Sequence, residues 1–171
     1  MAMSGIFGPE EHVELIEGEI VTVMPPQLKP HIVSLLLIGP ALRKAFGDAY
    51  SVEAQIPIVL GGDSEPEPDF VVVPGPARRY LERKPTPADI RLLVEVSETS
   101  LAFDRGRKAR LYARHGISDY WIVNLVEGCV EVRREPDAEL GYTAIRIARV
   151  GEAIAPLAIP GVQIPVSDLL P

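Results

Sequence analysis

The sequence is short of cysteine, of positive charge and of long apolar runs, and each shortage closes off a class of explanation. A single cysteine, Cys129, stands among 171 residues, so neither an internal disulfide nor a cysteine-rich zinc site is available. Its neighbours, Gly128 and Val130, suggest a turn entering a strand, which makes Cys129 a buried or edge-strand thiol and not a nucleophile. Lysine and arginine number 17 against 24 acids, a formal net charge of −7. Tight binding to nucleic-acid backbones by the surface as a whole is therefore not expected. The basic residues that exist gather in "ARRYLERK" (77–84) and "DRGRKARLYARH" (104–115). These read either as a local basic patch or as solvated helix and loop faces. No apolar run approaches the roughly 20 residues that span a bilayer. The opening "MAMSGIFGPEEHVE" lacks the basic end and apolar middle of a signal peptide. The expected location is cytoplasmic, with no membrane partner.

What the chain does have is core-forming material. Hydrophobic residues make up 47% of it, which suits one domain, residues 1–171, with a substantial interior. "VELIEGEIVTV" reads as a hairpin about the turn pair Glu17-Gly18. "MPPQLKP" then breaks the strand. "PHIVSLLLIGPALRKAF" has helical length and an apolar face, with Pro30 tolerated in the first turn. Gly39-Pro40 is expected to interrupt this helix, because Pro40 removes an amide donor and Gly39 has low helix propensity. "YSVEAQIPIVL", "DFVVV" and "IRLLVEVS" read as strands, separated by the turn "GGDSEPEP" and by "GPARRYLERKPTPAD", a loop with at most one helical turn. "DRGRKARLYARHG" is a helix closed by Gly116. "DYWIVNL", "CVEVRRE" and "YTAIRIAR" form a meander with turns at Glu127-Gly128 and near Leu140-Gly141. A proline-punctuated tail ends in a short turn. The order hairpin, helix, three strands, helix, three strands predicts an α/β (α+β) fold with one mixed sheet flanked by helices, an N-terminal hairpin and a C-terminal β-meander.

Three charged residues break this pattern. Asp69 stands at the mouth of the buried run "FVVV", as a turn acid or as half of a site. Glu95 lies inside "RLLVEVSETS", where strand alternation places it with Leu93 and Ser97 on one face. An acid there is costly unless it is paired or holds a cation. Lys108 shares a helix face with Leu111 and Tyr112, the core side. Two inward acids and one inward lysine can offset one another as an ion-pair network. They can equally hold a divalent cation such as Mg2+, with the lysine orienting or deprotonating an attacking water. The three are expected to converge in one cleft at one edge of the central sheet.

"PEPDFVVV", "LLVEVSETS" and "DRGRKARLYARHGISDYWIVN" together resemble the Uma2 family of restriction-endonuclease-like proteins, in the PD-(D/E)XK superfamily. The resemblance runs from "ELIEGEI" to about Arg134. It implies a restriction-endonuclease-like fold and a Mg2+-dependent endonuclease, with Mn2+ as a substitute ion and DNA as the substrate. Pro68-Asp69 supplies the "PD" and Glu95 the second acid, so Asp69 and Glu95 would hold the metal, with the Val96 carbonyl as a further ligand. The superfamily places a lysine two residues after that acid, where this chain has Ser97. The resemblance assigns the lysine role to Lys108, on the following helix. His31, where the family also has a histidine, and Gln55, on the strand before Asp69, are accessory candidates. Glu17 and Glu19 match the family's acidic hairpin phrase but are equally explained as solvated turn acids. His12 and His115 have no partner at metal spacing and read as surface residues. A second function fits the same residues: a catalytically inactive nuclease-fold protein that acts as a dimeric binding or regulatory module, with the apolar meander as the pairing edge of a homodimer.

Overall fold

The computed structural model describes residues 12–23 and 29–171. The expected strand break at 24–28 and the side chain of His12 lie outside the described residues. The hairpin forms as expected. Strands β1 (His12–Ile16) and β2 (Glu19–Val23) pair antiparallel with Ile16 opposite Glu19. Glu17 and Gly18 both take positive φ, 52° and 78°, the backbone of a two-residue turn matched to strand twist.

The main sheet has six strands in the order β3 (Tyr50–Ala54), β4 (Phe70–Pro74), β5 (Leu92–Ser97), β6 (Asp119–Asn124), β7 (Cys129–Asp137) and β8 (Gly141–Arg149). Only β5 and β6 run parallel, with Glu95 opposite Ile122; every other pair is antiparallel. The parallel step requires a crossover. A helical run supplies it in three pieces: α2 (Leu101–Phe103), a π-helical turn (Asp104–Lys108) and α3 (Ala109–Arg114). The helix expected from Asp104 thus begins earlier and is wound with a π turn, which a count of 3.6 residues per turn does not reveal.

Both faces of the sheet are covered. On one, Phe70, Val94, Trp121 and Val132 pack beneath helix α1 (Lys29–Phe46) and the C-terminal Val166, Leu169 and Leu170. On the other, Val71, Leu93, Tyr120 and Ile122 pack against Ile16 of the hairpin and Leu111 and Tyr112 of α3. The tail adds the short pair β9 (Ala153–Ile154) and β10 (Ile164–Pro165) and a 3-10 turn over Val166–Asp168. A further 3-10 turn, Ala77–Tyr80, is the single helical turn expected in that loop.

Two expectations fail. Helix α1 is not interrupted at Gly39-Pro40; it runs as one element from Lys29 to Phe46 with Pro40 inside it. Pro40 is exposed, as is Leu36, whose carbonyl loses its i+4 donor. That carbonyl therefore lies on the solvent side, where water can satisfy it. The long strand expected over "YSVEAQIPIVL" stops at Ala54. Gln55 takes a left-handed φ of 51° and Pro57 has no amide to donate.

Candidate functional site

The site forms where the start of β4 meets the middle of β5. The two strands pair Phe70 with Val94, so Asp69, one residue before β4, lies beside Glu95. The contact is reciprocal. The Val96 amide donates to Oδ2 of Asp69 at 2.8 Å, and the Asp69 amide reaches Oε2 of Glu95 at 3.4 Å. From the crossover, Lys108 Nζ donates to Oε1 of Glu95 and to Oε1 of Glu14, each at 3.0 Å. The Tyr112 hydroxyl donates to the same Glu95 oxygen at 2.8 Å. The three residues singled out in the sequence therefore do converge. They do so on inner strands, however, because β3 lies outside β4 and forms the sheet edge.

The cleft is unbalanced in charge. Glu14, Glu95, Asp104 and Lys108 are all buried, and Asp69 is nearly so. Burial is the first cause that pushes Glu95 well above the usual carboxylate range. Lys108 opposes the shift, while Asp104, Asp69 and Glu14 add to it. Glu14 and Asp104 are raised for the same leading reason. Burial works against the Lys108 ammonium, but Glu95, Glu14 and Asp104 outweigh it, and its pKa rises above the ordinary lysine value. In the metal-free protein Lys108 is thus held as the ammonium, a form that can orient water and meet negative charge.

Several acceptor atoms in this cleft remain open. Oε1 of Glu95 is taken twice, but Oε2 has only the long bond from Asp69. Oδ1 of Asp69 faces Nε2 of His31 at 3.5 Å. Oε2 of Glu14 and Nε2 of His31 are buried with no hydrogen-bond partner among the described residues. Among the described residues no three His, Cys, Asp or Glu side chains converge as a ready-made metal cage. Mg2+ is commonly held by one or two carboxylates, with water and substrate phosphate completing the shell, and the open oxygens of Asp69 and Glu95 suit that arrangement.

The remaining sequence candidates divide. His31, in the first turn of α1, joins the cleft against Asp69. Gln55 does so only through its backbone: its amide donates to the Asp69 carbonyl at 3.2 Å, while its side chain is exposed. Glu17 and Glu19 clamp the hairpin to the crossover. Glu17 pairs with Arg107 at 3.2 Å and Arg114 at 2.7 Å, and Glu19 with Arg107 at 2.8 Å. His115, expected at the surface, is partly buried, with Nδ1 3.0 Å from the Leu111 carbonyl.

Sequence reasoning missed Glu14, Asp104 and Tyr112. The signal for Glu14 was its alternation with Ile16, a buried strand position, which the solvated look of the turn acids obscured. Ser97, standing where the superfamily has lysine, donates to Oδ2 of Asp104 at 2.7 Å, and Ser100 donates to the same oxygen at 2.6 Å. The basic segment at 104–115 is largely spent within the fold. Arg105 pairs with Glu127 at 2.6 Å and with Glu131, and Arg107 and Arg114 pair as above. In the earlier cluster, Arg83 and Lys84 pair with Asp89 and Glu65, leaving Arg78 and Arg79 exposed. Among the described residues no helix is long and apolar enough to cross a membrane.

Comparison with curated proteins finds no match. Among solved structures, the chain resembles a crystal structure described as a putative nuclease belonging to DUF820 from Anabaena variabilis ATCC 29413. The two share 16% identity at a TM-score of 0.68, over 92% of this chain and 88% of that one, a likeness of fold. The model of the family described as "Uma2: Putative restriction endonuclease" matches residues 1–167. With the paired acids of the β4–β5 cleft carried on that fold, the chain belongs to the Uma2 family.

Proposed function

We propose that this chain is a Mg2+-dependent endonuclease that hydrolyses DNA phosphodiester bonds in the cytoplasm, with Mn2+ able to replace Mg2+. The observation that carries the reading is the Asp69–Glu95 clasp, two adjoining carboxylates that each keep an open oxygen, beside a lysine that stays charged. Asp69 and Glu95 would hold the ion, with the Val96 carbonyl as a further ligand. When bound, the ion supplies Lewis acidity and a water of lowered pKa. The protein supplies the rest. Lys108 orients that water and offsets the negative charge that develops on phosphorus. Tyr112 holds Oε1 of Glu95 and so keeps Oε2 turned toward Asp69. His31 borders Asp69 on the helix side and Gln55 supports its backbone.

A second reading, an inactive binding module, is favoured by one observation: Arg105, Arg107 and Arg114 are tied to acids of the same chain and are not left for a phosphate backbone. One experiment separates the two. Supercoiled plasmid and single-stranded DNA are incubated with the protein over Mg2+, Mn2+ and Ca2+, beside Asp69→Asn. Metal-dependent nicking that vanishes in the variant supports the nuclease. Equal inactivity of both, with no metal bound by the parent, supports the binding module.

A further inference from the structure

The two edges of the main sheet are not alike. At one end, β3 is five residues long and is cut short by the left-handed Gln55. At the other, β8 has nine residues, contains no proline and pairs only with β7 among the described strands. Long unprotected edges are sites where another strand can add, and proteins usually blunt them. Nothing blunts β8. Its central charge, Arg146, is turned to Glu152 of its own chain at 3.0 Å. Instead, the strand and its flanks carry exposed apolar side chains: Leu140 (78% exposed), Ile145 (52%), Ile147 (42%) and Val150 (66%).

From this pattern we infer that β8 pairs antiparallel with β8 of a second copy of this chain, joining the two sheets through a two-fold axis at Ile145. The register that uses the whole strand, Gly141–Arg149, is centred on Ile145. It sets Ile145 against the partner's Ile145, Ile147 against the partner's Thr143, and Arg146 against the partner's Ala144. Arg149 falls against the partner's Gly141, beside a turn that bears Asp137 and Glu139, so opposite charges approach at both ends. Like charges are nowhere opposed, and the exposed apolar residues of the edge are matched to one another or to the threonine methyl. A shift by two residues takes Ile145 off the axis and shortens the paired stretch. Isologous contact of this kind closes on itself and stops at a dimer. Each cleft, on β4 and β5, lies away from the joint, with β6 and β7 between.

The interface is tested without reference to cleavage. Sedimentation of the full chain from nanomolar to high micromolar concentration should show a dimer. Ile145→Lys, which sets two ammonium groups against each other at the axis, should raise the dissociation constant at least about tenfold. It should leave the far-ultraviolet circular dichroism and Mn2+ binding as in the parent. Directly opposed antiparallel residues have Cα atoms about 4.5–5.5 Å apart, within reach of a disulfide. Ile145→Cys should therefore form a disulfide-linked dimer on mild oxidation, with the buried Cys129 not contributing. Leu36→Cys, on the exposed side of α1, should not. A parent that stays monomeric throughout would overturn the inference. So would a dimer that survives Ile145→Lys, or a cross-link through Leu36→Cys in place of Ile145→Cys. Should Ile145→Lys fail to fold, the cysteine pair decides alone.

Discussion

Asp69 and Glu95 hold each other through the main chain: the amide after Glu95 binds the Asp69 carboxylate at 2.8 Å, and the Asp69 amide binds the Glu95 carboxylate at 3.4 Å. Neither acid can be re-aimed without disturbing a strand. The first prediction follows from that rigidity. Asp69→Asn preserves shape and removes charge. It should fold as the parent does and weaken Mn2+ binding by at least about tenfold, or about 1.4 kcal/mol, by calorimetry. Unchanged affinity would remove Asp69 from the metal site.

Among the described residues Lys108 is the only ammonium between Glu14 and Glu95. Lys108→Met keeps most of the apolar stem but strands the acids. At neutral pH it should cost about 3–5 kcal/mol in denaturant melts, since one member of a buried charge pair is lost. The loss should shrink when Glu14→Gln is added. DNA cleavage by the single variant should be abolished even under conditions where it is folded. A variant that melts and cuts like the parent would refute both the structural and the catalytic role.

The raised carboxylates make a statement about pH. Glu14 and Glu95 ionise near 4.5 in an unfolded chain but hold their protons to higher pH when folded. Above that value the folded state therefore binds more protons than the unfolded state, and stability falls as pH rises through the window. Lys108, raised above 10.5, contributes stability that is fully present below 10.5 and is lost only as pH climbs through its folded value. It leaves the acid-side slope unaltered. Metal-free protein should melt at a higher temperature near about pH 5 than near about pH 8. Saturating Mg2+ should flatten that difference, and Glu95→Gln should reduce it without metal. A melting temperature that rises steadily from pH 5 to pH 8 in the metal-free parent would contradict the burial argument.

Tyr112→Phe removes one hydroxyl that donates to Glu95 at 2.8 Å. The change should cost about 1 kcal/mol of stability. It should weaken Mn2+ binding by about tenfold, because a supporting bond to a ligand orients it. Loss of stability with no change in affinity would make Tyr112 a core residue alone.

Pro40→Ala restores an amide that can reach the Leu36 carbonyl in α1. Helix propensity favours the variant, and the unfolded chain's added freedom opposes it. A net gain of about 1 kcal/mol is expected in denaturant melts. A loss would show that the ring itself contributes packing on that exposed face.

Much of this molecule could be read in advance, because core strands announce themselves. Asp69 and Glu95 were visible as acids set against "FVVV" and "LLV", where a solvated residue has no place. Lys108 was visible by phase, through Leu111 and Tyr112. What was not legible depends on the third dimension. Glu14 looked like its neighbours Glu17 and Glu19 until the hairpin was laid on the sheet, which buries Glu14 and leaves the turn acids to Arg107 and Arg114. Asp104 lay at the head of a helix whose π turn has no signature in residue types. Pro40 was over-read, since its cost depends on whether the orphaned carbonyl faces core or water. Gln55 was under-read as a stop, because a left-handed residue other than glycine or asparagine gives little local warning.

The bridge from Lys108 to Glu14 spans 94 positions of sequence, and it also sets a clock. At ordinary synthesis rates of about 5–20 residues per second, roughly 5–20 seconds separate the emergence of the first acid from that of its counter-charge. Over most of that interval Glu95, which shares the same ammonium, is not yet made either; it precedes Lys108 by 13 positions. Lys108 is the last of the cleft's charged residues to be made, so the cleft can be completed only together with the crossover that carries it.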